Sequence, residues 1–89
     1  MLNNNLKDFI RRSIYTLSVV DINLMIDNHG YKDVDKALKI LNRIRLHSGL
    51  VIKKIYPSYS EFYRKNKYFN EKNYQLINGF YCDYRLDWG

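Results

Sequence analysis

The chain is poor in the residues that staple or punctuate small proteins. Of 89 residues only one is cysteine, one is proline and four are glycine. A single thiol, Cys82, excludes an internal disulfide and a cysteine-built zinc site. The two histidines, His29 and His47, lie in different segments with no HxxxH or HExxH spacing, so no metal site is expected. The glycines at 30, 49, 79 and 89 are scattered and form no phosphate-cradling loop. Uninterrupted apolar runs stop at three residues, as in Leu24-Met25-Ile26 and Leu50-Val51-Ile52. Such runs are too short for a membrane-spanning helix or the apolar core of a signal peptide. Linkers, low-complexity tracts and repeats are also missing. The expectation is one soluble domain over residues 1–89, cytoplasmic, with no cofactor and no membrane partner.

What is present is a biased composition and an uneven charge. Asn, Lys, Ile and Tyr supply 37 of the 89 residues. All four use AT-rich codons, so genomic drift accounts for part of that bias and the tyrosine count alone carries little weight. The charge pattern is harder to assign to drift. Residues 1–31 carry three basic and three acidic groups, and residues 73–89 carry one and two. Residues 32–72 carry eleven basic and four acidic groups, so the whole excess of +6 sits in the middle of the chain.

Periodicity predicts helices first. Leu6, Phe9, Ile10, Ile14 and Leu17 recur at helical spacing, with Asn3 to Asn5 available as caps, which predicts a helix over 5–17. Ser18-Val19-Val20-Asp21 has capping-box spacing, and His29-Gly30 supplies a stop, so a second helix fits between them. Gly30 to Asp33 reads as a tight turn. A third helix then runs from an Asp33 cap to Ser48-Gly49, with Val34, Ala37, Leu38, Leu41 and Ile44 on one stripe. Lys36, Lys39, Arg43 and His47 fall on the opposite stripe.

From Leu50 the pattern changes. Residues 50–56 are rich in β-branched side chains and end at Pro57, as a strand does. Ser58-Tyr59-Ser60-Glu61 has capping-box spacing and predicts a short helix over 59–66. Asn78-Gly79 matches a type I′ hairpin turn between 74–77 and a strand in which Phe80, Cys82, Tyr84, Leu86 and Trp88 alternate with polar residues. The whole reads as an α+β fold: three N-terminal helices followed by a small antiparallel sheet.

The residue types favour binding over catalysis. Asp21, Asp27, Asp33 and Asp35 sit near helix starts and turns, where carboxylates cap, and Cys82 falls on the apolar side of its strand. On the third helix, lysines would hold phosphates while Arg43 and the neighbouring Asn42 would reach base edges. The alternative is that this stripe is only the solvated side of an amphipathic helix. Tyr56 to Phe69 interleaves rings with Arg and Lys, which suits single-stranded nucleic acid, a protein interface, or a small aromatic core.

The order of helix, helix, tight turn, basic helix and then strands resembles a winged helix-turn-helix domain over residues 6–86. That resemblance implies Lys36, Lys39, Asn42, Arg43 and His47 in a DNA groove. It also implies Lys53, Lys54, Arg64, Lys65 and Lys67 on the phosphate backbone, with 57–73 as an oversized wing. The leading expectation is a small DNA- or RNA-binding regulator carried by a phage or plasmid. The main alternative is a non-catalytic inhibitor from such an element, an anti-CRISPR or other counter-defence protein. It would grip a host protein or nucleoprotein effector with Tyr59, Tyr63 and Tyr68. A homodimer or structural subunit is a third expectation, drawn from the apolar tail Leu86-Asp87-Trp88.

Overall fold

In the computed structural model the described residues are 2–46, 49–66 and 73–87. The element order is α1 (Asn4–Ser13), α2 (Val19–His29), α3 (Tyr31–Ile44), β1 (Gly49–Tyr56), α4 (Tyr59–Asn66), β2 (Tyr74–Ile77) and β3 (Phe80–Asp87). This is an α+β fold in which three helices precede an antiparallel sheet of order β1-β3-β2.

Local chemistry explains most boundaries. The Asn3 side chain accepts from the Leu6 amide at 2.9 Å to start α1, and Ser18 accepts from Asp21 at 3.4 Å to start α2. Ser58 accepts from Glu61 at 3.3 Å to start α4, so both serine caps expected from the sequence hold. Gly30 is the whole joint between α2 and α3. At φ 84° its amide donates to Ile26 and its carbonyl accepts from Val34. The expected four-residue turn over 30–33 is therefore absent. α3 starts at Tyr31, and Asp33 sits inside its first turn rather than capping it.

Two helices end earlier than their periodicity suggests. α1 stops at Ser13 instead of residue 17, and α3 stops at Ile44 with Arg45 already extended, not at Ser48-Gly49. Contacts distant in sequence set both ends. The Leu46 amide donates to the Ile14 carbonyl at 2.9 Å, and the Arg45 guanidinium bonds the Asp87 carboxylate at the end of β3. Ile44, expected on the buried stripe, is consequently exposed.

The aliphatic core lies between the three helices and one side of the sheet. Leu6, Phe9 and Ile10 of α1, Ile22, Met25 and Ile26 of α2, and Val34, Ala37, Leu38 and Leu41 of α3 meet Ile52, Ile55, Ile77 and Cys82. β1 does not alternate regularly. Its register against β3 slips between Ile52 and Lys54, leaving Lys53 as a bulge, and the slip lets both Ile52 and Ile55 face the helices. Val51 and Tyr56 face the other way.

The other side is partly covered as well. α4 lies on it, with Phe62 fully buried and its ring 5.6 Å from Tyr56 and 5.4 Å from Tyr74. Tyr59 and Tyr81 complete the cluster at 5.5 Å. The segment expected as a wing therefore carries a crossing helix over 59–66. It joins β1 to β2, which do not pair with each other. Residues 67–72 lie outside the described residues. The hairpin expectation holds: Asn78 and Gly79 take φ 54° and 81°, and Ile77 pairs with Phe80.

Candidate nucleic-acid interface

α3 is clamped to the edge of the sheet by two of its own polar side chains. The Asp35 carboxylate accepts from the Ile55 amide at 2.9 Å, and the Asn42 side-chain amide donates to the Ile52 carbonyl at 2.9 Å. Spaced seven apart, both side chains point to the same neighbour, since seven residues is close to two helical turns. They satisfy backbone groups that β1, as an outer strand, would otherwise leave open. Asn42, expected at a base edge, is thus spent on the sheet. Its Oδ1 is buried with no partner among the described residues.

With α3 fixed this way, Lys36, Lys39 and Arg43 project into solvent. Lys39 pairs with Asp35 one turn earlier at 2.9 Å; its own side chain is 52% exposed, so the pair is screened and weak. Among the described residues Lys36 and Arg43 have no ion-pair partner. They border a shallow groove with Leu2, Asp33, Lys39 and Ile40. On the β1 side a second groove gathers Lys32, Lys36, Lys39 and Lys54 with Asp33, Asp35 and Glu61. Lys32 was missed by the sequence reading, which placed it in a turn. Its spacing of four and seven from Lys36 and Lys39 was the available signal.

The remaining expected cations divide. Lys53 lies 3.9 Å from Asp83, whose carboxyl is held above its ordinary range by burial despite that lysine. The Lys54 ammonium sits 5.2 Å over the Tyr56 ring. Arg64 and Lys65 are exposed on α4 and line neither of these two grooves. His47, Lys67 and Tyr68 lie outside the described residues. Tyr59 and Tyr63 stand side by side at 6.0 Å, both about half exposed.

Other polar groups hold the frame. Arg12 grips Asp21 with two bonds of 2.7 Å between α1 and α2, and this hydrogen bonding raises the guanidinium's pKa. Arg85 and, less strongly, Arg45 hold the Asp87 carboxyl below its ordinary range. Cys82 is buried at the centre of the sheet. Burial, helped by the charge of Asp35, pushes its thiol up to about 12.

Among the described residues no three His, Cys, Asp or Glu side chains come together as a metal site, and no helix is long and apolar enough to cross a membrane. No protein-family model matches this chain, and comparisons with curated proteins and with solved structures find no match.

Proposed function

We propose that this chain is a nucleic-acid-binding regulator that grips the phosphate backbone with the outer face of α3. One observation carries this reading. Lys36, Lys39 and Arg43 form an exposed stripe on a helix whose opposite side is locked to the core and the sheet edge. From Lys36 to Arg43 the helix rises about 10 Å, which matches roughly three phosphates of one duplex strand measured along the duplex axis. Lys32 and Lys54 extend the basic surface on one side, and Arg64 and Lys65 add exposed cations on α4. Bound phosphates would draw Lys39 away from Asp35 at little cost, because that pair is exposed. The bias towards AT-rich codons supports an origin in a phage or plasmid.

A second reading has its own observation. Tyr59 and Tyr63 expose adjoining rings beside Tyr74 and Leu76, a surface of the kind that anchors a protein effector. In that case the chain is an inhibitor, and the cations steer rather than bind.

Fluorescence anisotropy with duplex and single-stranded probes at two salt concentrations decides between them. Direct binding predicts that Lys36→Ala and Arg43→Ala each weaken affinity and flatten the log–log salt dependence by about one. Tyr63→Ala would leave it unchanged. Absence of binding to either probe at low salt overturns the proposal and leaves the effector-inhibitor reading.

A further inference from the structure

The two outer strands of the sheet differ in a way that bears on assembly. Two outward backbone groups of β1 are taken by α3, whereas β2 has β3 on one side and, among the described residues, no strand on the other. The two-residue turn makes Ile77 and Phe80 the doubly hydrogen-bonded pair, and bonding then alternates along the hairpin. Gln75 therefore bonds to Cys82, while the amides and carbonyls of Tyr74 and Leu76 point away from β3. Among the described residues those outward groups have no hydrogen-bond partner. The usual protections are also missing: Tyr74-Gln75-Leu76-Ile77 has no lysine, no proline and no bulge. Leu76 is 55% exposed, and Tyr74 and Gln75 are exposed beside it.

We propose that a second copy of this chain pairs antiparallel with β2, joining two three-stranded sheets into one. The strand is self-complementary in a single register. Because the outward-pointing residues flank Gln75, a two-fold axis through Gln75 sets Tyr74 of each copy opposite Leu76 of the other. That register closes the open backbone groups of both copies. It makes aromatic–aliphatic cross-strand pairs on the α4 side and sets the two Gln75 side chains opposite each other on the other side. Charge on the strand does not oppose this occupant: each copy carries +6, but β2 carries none of it, so the pairing sets no like charges face to face within the strand. An acidic or basic peptide would find nothing on β2 to neutralise. A contact centred on four residues is smaller than a standard interface and belongs with weak, transient associations, so about 1–100 μM is the concentration range in which to look for it.

Sedimentation equilibrium across that range, roughly 1–100 μM, tests the proposal on the full chain. The wild type should move from the 10.8 kDa monomer to twice that mass. Gln75→Glu and Gln75→Lys, at an exposed site that leaves the fold alone, should each weaken dimerisation by at least about fivefold by setting like charges opposite each other. An equimolar mixture of the two should recover the wild-type affinity as a heterodimer. Amide exchange at Tyr74 and Leu76 should slow with concentration, while exchange at Gln75 and Ile77 stays constant. A chain that stays monomeric, including one that binds a foreign strand instead, overturns the proposal. So does a dimer that survives both charged variants.

Discussion

One edge of this sheet is shut and the other is open, and the difference comes from side chains rather than strand length or sheet geometry. At β1, Asp35 and Asn42 of α3 reach the Ile55 amide and the Ile52 carbonyl, the groups a further strand would otherwise use. At β2 no such side chains arrive, and Tyr74 and Leu76 keep their backbone groups free among the described residues. A helix packed along an edge strand can therefore protect that edge as well as bury its apolar face. The same clamp sets which side of α3 meets solvent, so edge protection and the basic stripe are two results of one arrangement.

The hardest blow to this contrast should be Asp35→Ala. Removing the carboxylate strands the Ile55 amide at a half-buried site, which predicts a loss of about 1–3 kcal/mol in urea denaturation. Asn42→Ala should cost less, about 0.5–1.5 kcal/mol, because the substitution also removes an Oδ1 that is already buried without a partner. Equal costs, or a larger one at Asn42, would show that the two clamps are not ranked by the groups they satisfy.

A pH-dependent effect, absent at neutral pH, links the clamped edge to the middle strand. Below about pH 9 the Cys82 thiol is protonated whether the chain is folded or not. Between there and about 12 the unfolded chain releases that proton while the native state keeps it. The native state then binds more protons, so stability falls as pH rises through this window. The Cys82→Ala variant should lack that contribution, and its stability should decline less steeply on the alkaline side of pH 9. Asp35→Ala should bring the thiol down only partly, because burial is the larger cause. Denaturation curves and thiol labelling rates on both sides of pH 9 check both outcomes. Parallel wild-type and Cys82→Ala profiles would break the link.

The smallest effect belongs to the open edge. Gln75→Glu should change monomer stability by no more than about 0.5 kcal/mol, measured at concentrations too low for pairing. A larger loss would mean that Gln75 supports the monomer itself, and the edges would differ less than they do here.

Legibility from sequence followed the range of the interactions. The starts of α2 and α4 and the Asn78-Gly79 hairpin were readable because a cap or turn is decided within four residues. Lys36, Lys39 and Arg43 were readable as one stripe for the same reason. The ends of α1 and α3 were not, since Leu46 bonds to Ile14 and Arg45 to Asp87 across long stretches of chain. Asn42 was misjudged because its type suits both a base edge and a carbonyl, and only the position of β1 decides. The strand order was not legible at all: a helix followed by a strand does not reveal that β3, not β2, pairs with β1.

The bulge at Lys53 makes β1 two half-strands of opposite phase joined by one extra residue. Substitutions there are cheap, since the side chain is largely exposed beside Asp83. A deletion there is equally mild. Losing one residue at 53 or 54 removes the extra residue, and the regular alternation of a plain strand then keeps Ile52 and Ile55, now two positions apart, on the same side. What the chain gives up is the local bend and added twist that a bulge confers. In the history of this gene, an in-frame loss of one codon at the bulge should have been tolerated alongside point changes there, and shorter forms of this segment should share the same core.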